Sequence, residues 1–223
     1  MKHNDKKLLK VMAIFLTTLI SIPATASTAI DFTRFSKDIQ EIVERAVIEN
    51  ATGTEKNIYE LKYAAANGDV DKIKSLIENK QINIKRKEKK EAEAAFVKAA
   101  EKGHINVIVY LLRQGVNVNA KNDEGDTALM EAAEEGNLNI VKYLVENHAN
   151  VNARDKENEE TALMEAAEEG HFDIVKYLVE HKANIRTKGK NGITAITIAA
   201  GHGHADIAEY LSKKVNGRGL VEK

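Results

Sequence analysis

The sequence predicts an all-α solenoid of stacked helix-turn-helix units, with short hairpin-like fingers between units and a capping helix at the N-terminal end. Three observations carry this. The stretch Thr127–Glu146 recurs almost word for word as Thr161–Glu180, 34 residues later, and self-similarity at such a period marks a repeat array. Gly68, Gly103, Gly136, Gly170 and Gly203 are spaced 35, 33, 34 and 33 apart. The single proline is Pro23, so the residue that most often breaks helices is absent from the rest of the chain.

Around each glycine the pattern is the same: a short Ala-rich helix, the glycine, then a second helix carrying Ile, Val and Leu. Helices of some ten residues do not survive alone in water, where roughly 12–15 is marginal. Ala132-Ala133 and Ala166-Ala167 keep the first helix slim, so neighbouring first helices can approach closely. Gly136 and Gly170 are expected to end it in a left-handed turn. Ile140, Val141, Leu144 and Val145, repeated as Ile174, Val175, Leu178 and Val179, form the stripe that the second helix must bury. No unit closes a core by itself; stacking closes it.

The unit resembles an ankyrin repeat. The residues that carry the likeness are Gly125-x-Thr127-x-Leu129, Ala132-Ala133-x-x-Gly136, Ile140-Val141-x-x-Leu144 and Ala149-Asn150-Val151-Asn152. The unit from Thr161 to Ile185 matches almost as well. Partial matches occur at Ala99-Ala100-x-x-Gly103-His104 with Val116-Asn117-Val118-Asn119, and at Ala199-Ala200-x-x-Gly203-His204; the one near Ala64-Ala65-x-x-Gly68 is degenerate. The resemblance covers about residues 57–213. The family's Thr-Pro-Leu-His reads Thr-Ala-Leu-Met at 127–130 and 161–164, and Thr-Ala-Ile-Thr at 194–197. Met130 and Met164 are expected to replace the lost histidine hydrogen bonds with packing. Where the family usually places a left-handed glycine after the second helix, Gly115 keeps it and His148 and Lys182 replace it, at ~1 kcal/mol each.

The N-terminus reads as an address. Lys2, Lys6, Lys7 and Lys10 precede an apolar run from Val11 to Ile22; Pro23 and Ala24-Thr25-Ala26 complete a secretory signal of bacterial type. Cleavage is expected after Ala26, with Ala29 as the alternative. The apolar run falls short of the about 20 residues that span a bilayer, so no stable membrane anchor should remain after cleavage. Removal of residues 1–26 takes away four lysines and one aspartate and leaves 29 Lys+Arg against 33 Asp+Glu, a formal charge of -4. The absence of cysteine suits a periplasm or a secreted protein. Residues 27–56 are expected to hold the capping helix, over Asp31–Glu49, and a turn. The repeat domain follows at 57–215, about five repeats with the first degenerate, and 216–223 is a tail. The sequon Asn50-Ala51-Thr52 carries little weight in a bacterial setting. Between Ile84 and Ala92 the run Lys-Arg-Lys-Glu-Lys-Lys-Glu either forms an irregular finger or extends the next inner helix backward.

Chemistry finds little support. The whole chain carries 33 Lys+Arg, 34 Asp+Glu and no cysteine. That argues against a general nucleic-acid footprint and removes thiolate nucleophiles and Cys-based zinc sites. No phosphate-cradling loop, Gly-x-Ser-x-Gly or His-Glu-x-x-His is present. His202-Gly203-His204 tempts as a metal pair, but His104, His171 and His204 stand where ankyrin repeats commonly have histidine, which makes them scaffold. No enzyme activity, cofactor or metal is expected. Carboxylates clustered on one face could hold Ca²⁺, but no EF-hand loop is present.

The acidic side chains carry the remaining evidence. Glu134, Glu135, Glu168 and Glu169 sit just before repeat glycines, which in ankyrin-like stacks lie on the concave face. Asp123, Glu124, Asp126, Glu157, Glu159 and Glu160 fall at the finger tips. Lys98 and Lys102 flank this surface on one side; Arg186, Lys188 and Lys190 flank it on the other. One reading is a groove for a basic protein segment, with Lys188 and Lys190 at its far end; the other is a solvated face copied by duplication. The expected function is a monomeric, non-catalytic exported scaffold that binds a protein partner. A secreted effector binding a host protein, and an accessory protein in periplasmic stress protection, are the alternatives.

Overall fold

A computed structural model describes residues 53–217 except Lys85 and Lys87. The signal segment, the capping helix expected at 31–49 and the last six residues lie outside the described residues. Among the described residues ten α-helices run in pairs: α1 (Gly53–Ala66) and α2 (Val70–Glu78), α3 (Lys89–Glu101) and α4 (Ile105–Arg113), α5 (Ala128–Glu134) and α6 (Leu138–Glu146), α7 (Ala162–Glu168) and α8 (Phe172–Glu180), α9 (Ala195–Gly201) and α10 (Ala205–Gly217). The odd-numbered helices pack on one another in sequence to form an inner layer, and the even-numbered ones back them as an outer layer.

The core is one continuous stripe through both layers. Leu61, Phe96, Leu129 and Leu163 occupy the same register in four successive inner helices and are almost wholly buried. Each contributes ~1.5–3 kcal/mol of burial, realised only when its neighbour is folded. Ala64, Ala65, Ala99, Ala100, Ala132, Ala133, Ala166 and Ala167 are buried at the interfaces between inner helices, as their size suggested. In the outer layer Ile140, Val141, Leu144, Ile174, Val175, Leu178 and Val179 are buried; Val145 is only half-buried, because it sits at the edge of the stripe.

The repeat glycines have φ of +72° (Gly68), +77° (Gly103), +74° (Gly136), +79° (Gly170) and +86° (Gly203). At Gly136 there is a second reason for glycine. A Cβ there would come 2.6 Å from the ring of His171, and that ring hydrogen-bonds, Nε2 to the carbonyl of Glu134 at 2.7 Å. His104 does the same for the first repeat, with Nε2 2.9 Å from the Ala66 carbonyl. Each histidine thus satisfies an orphan carbonyl at the end of the preceding inner helix, which is why these residues are scaffold.

His148 (φ +67°) and Lys182 (φ +71°) adopt the left-handed conformation that Gly115 (φ +93°) adopts one repeat earlier. Replacing either with glycine should raise stability by about 0.5–1 kcal/mol, after the entropic cost of glycine. Urea denaturation of H148G and K182G checks this; unchanged midpoints would mean the strain is relieved elsewhere.

Polar ladders stitch the turns. Asn119 Oδ1 accepts the Asn150 N–H at 2.7 Å, and Asn152 Oδ1 accepts the Asn184 N–H at 2.8 Å. Met130, nearly fully buried, packs as expected but also keeps a polar role, since its Sδ lies 3.3 Å from the Thr127 backbone N–H. In the last repeat Thr197 Oγ1 takes that place, accepting from Thr194 N at 2.8 Å. Of the basic run before α3, Lys89, Lys90 and Glu91 lie within the helix, and Glu88 is buried ahead of it with its carboxylate accepting the Asn83 N–H at 2.9 Å.

Candidate functional site

The fingers hold little regular structure: the finger between α4 and α5 shows one antiparallel bridge, Lys121 with Thr127. An Asx residue organises each of the two central ones. Asn122 Oδ1 accepts the N–H groups of Gly125 and Asp126, both at 2.8 Å. In the next finger Asp155 accepts from Asn158 and Glu159 through Oδ1 and from Glu160 through Oδ2, at 2.7 to 3.1 Å. Such side chains mimic a backbone turn. Fingers are also tied to each other: Lys121 Nζ donates to the Arg154 carbonyl at 2.6 Å, Arg154 donates to the Lys188 carbonyl, and the Lys190 N–H donates to the Asn158 carbonyl at 2.8 Å.

Between these fingers and inner helices α5 and α7 runs a trough of about 350 Å³, lined by nine carboxylates and one amide. The lining residues are Glu124, Asp126, Glu134, Asp155, Glu157, Asn158, Glu160, Glu165, Glu168 and Glu169. Seven of them were expected from sequence. Asp123 lies outside it, with its carboxylate held 2.7 Å from Lys90 Nζ, a contact that keeps it below the usual carboxylate range. Glu135 is exposed beside the trough without lining it, and Glu159 pairs with Arg154 at 3.1 Å. Lys188 and Lys190 contribute backbone groups to the finger ladder, and their side chains do not line the trough.

Sequence reasoning passed over Asp155, Glu131 and Glu165. The last two stand three residues before Glu134 and Glu168, which places them on the same helix face; that spacing was the available signal. Both are more enclosed than the glutamates that follow. Burial, reinforced by Glu101, Asp126 and Glu134, pushes the Glu131 carboxyl up to about 8. Burial, with Glu134, Glu160 and Glu168, pushes Glu165 up to about 8. Burial and neighbouring carboxylates also raise Glu134 and Glu160. None of the nine trough carboxylates forms a salt bridge with a lysine or arginine among the described residues. At its far side Glu168 lies 3.7 Å from His202 Nδ1.

Asp155, Glu160 and Glu165 can each offer an oxygen within 4.8 Å of the others. Both Asp155 oxygens already accept backbone N–H groups, so the cluster is explained by the finger turn as it stands. On the other side of Glu124 lies a larger cavity of about 410 Å³ under α1 and α3, where Tyr59, Tyr63, Ala66, Ala94 and Val97 supply an apolar wall. No helix among the described residues is long and apolar enough to cross a membrane.

A family model described as ankyrin repeats (three copies) matches residues 61–155 and 153–218, well over half of the chain. Over 61 residues, 27% of this chain, the sequence is 39% identical to alpha-latrocrustotoxin-Lt1a of Latrodectus tredecimguttatus. Those residues make up 4% of that relative, so the chain spans only a small fraction of its length.

Proposed function

We propose that this chain, which belongs to the ankyrin-repeat family, is an exported binding scaffold whose trough receives a basic segment of a protein partner. The family supports a protein–protein interaction scaffold as the class of function. The choice of a basic partner rests on one observation: nine carboxylates line the trough and no lysine or arginine does. Gathering like charges raises the free energy of the unbound protein, and a cationic segment relieves that cost on docking. Export rests on the lysines and apolar run of residues 2–22 and the small residues of the cleavage box. A periplasmic or secreted site of action follows from it.

Changing Glu134, Glu135, Glu168 and Glu169 to Lys should weaken capture of partners from a periplasmic extract by roughly 100-fold, with circular dichroism unchanged. Undiminished capture of the same proteins would remove the trough from the function. Cell fractionation should find a chain starting after Ala26 outside the cytoplasm; a cytoplasmic full-length chain would overturn export.

A further inference from the structure

We propose that the cavity where the trough ends, beneath α1 and α3, seats one arginine side chain of the bound basic segment. This rests on the trough reading above, and it adds a specificity pocket to a surface that charge alone would leave indiscriminate. The two spaces adjoin at Glu124, which borders both.

The pocket has two unlike walls. Tyr59 and Tyr63 are one helical turn apart on α1, and Ala66, Ala94 and Val97 complete that side. Tyr59 is one of only two large apolar side chains exposed among the described residues, at 42%. Tyr63 occupies the register, five residues before the repeat glycine, that Glu131 and Glu165 hold in later repeats. Lys98 holds the same register in the repeat between, so the column runs Tyr63, Lys98, Glu131, Glu165, and Ala66 and Ala94 line the cavity beside it.

The opposite wall presents Glu131 and Glu124. Both receive a hydrogen bond from the Asn122 amide, at 3.1 and 3.4 Å, and neither is paired with a cation among the described residues. Of the other charges that border the cavity, Lys98, Glu101 and Asp123 are engaged in ion pairs and Lys62 is not among them. Lys98 is held by Glu101, which also binds Lys102; Asp123 is held by Lys90; Lys62 is exposed and acts on Asp123.

These walls discriminate among occupants. An apolar side chain would fill the space but would give the Glu131 and Glu124 carboxyls no donor beyond the Asn122 amide. Lysine would supply a charge but no planar group to lie on the rings. A guanidinium does both: it stacks on an aromatic face and pairs with a carboxylate through two parallel N–H bonds.

The test uses octalysine and octaarginine, equal in length and charge, with binding followed by fluorescence anisotropy at fixed ionic strength. Both should bind, with octaarginine favoured by roughly tenfold. Y59A/Y63A and E131Q should each bring that preference down to about twofold while octalysine binding stays within about twofold of the unmodified protein. E165Q, which alters the trough and not the pocket, should keep the preference. Equal affinity for the two peptides, or a preference that persists in both pocket variants, would overturn the arginine pocket and leave the trough standing. Failure of both peptides to bind would overturn the trough reading and the pocket with it. E131Q covers the case in which Y59A/Y63A fails to fold.

Discussion

Replacing Leu144 with Asp is expected to cost on the order of 5 kcal/mol, combining the lost burial of leucine with an unpaired charge in the core. Leu144 is fully buried in α6 near the middle of the array. Because each repeat is stabilised mainly by its neighbours, the damage should divide the stack and not merely loosen one helix. Hydrogen exchange should show protection lost in α5 to α8. Leu178→Asp in α8 should behave alike. Leu211→Asp, equally buried but in the terminal helix α10, should fray the last repeat and spare α1 to α6. Equal, global loss of protection in all three would mean that the array unfolds as a single cooperative block.

The second large effect is a dependence of stability on pH. Glu131 and Glu165 sit at about 8 in the folded protein, against about 4.3 for an unfolded glutamate. Between those values the folded chain holds more protons than the unfolded one, so stability falls as pH rises. Below about pH 4.3 both states are protonated at these sites and the favourable contribution is fully present. Above about 8 both are ionised and the loss is complete. E131Q and E165Q should therefore flatten the profile, each gaining roughly 1–2 kcal/mol at pH 8.5 once solvent screening is allowed for, and little at pH 4. Denaturation midpoints across that range measure it. Profiles that stay parallel to the unmodified protein's would mean that these carboxyls ionise normally. By the same linkage a cationic segment should drive protons off Glu131 and Glu165 as it docks, which calorimetry in buffers of different ionisation enthalpy would detect.

The fold was legible because it depends on periodic requirements. Glycine every 33 to 35 residues, paired alanines and an aliphatic stripe each have one architectural use, and the structure puts them to it. Contacts between repeats were less legible. Nothing local in the sequence says that His171 reaches back to the Glu134 carbonyl or that Asn119 serves Asn150, since these partners lie more than 30 residues apart. The trough was partly legible. Its rim could be read from charges next to the glycines, but Asp155 was passed over, because only its bonds to backbone N–H groups place it at the turn. Glu131 and Glu165 required the helix face to be followed one turn further. Tyr59 and Tyr63 were hidden by the degenerate first repeat, where departure from the pattern gave no hint of a cavity.

The asparagine and histidine ladders have a wider consequence. Asn119 gives to the next unit what Asn152 gives to the one after it, and His171 takes from the preceding unit what His104 takes from the one before. The asparagine joint is therefore interchangeable, with a socket on one side and a matching plug on the other, whereas the histidine clasp is interrupted at Asn137, which stands where His104 and His171 stand. A third copy of residues 127–160 spliced in after the first would keep the asparagine bonds on both sides and bring its own carboxylates in register, but its Asn137 would leave one inner-helix carbonyl without the bond that His171 makes. Such a joint lets a lineage vary the reach of its binding surface by whole units, with one residue, at the histidine position, left to adjust.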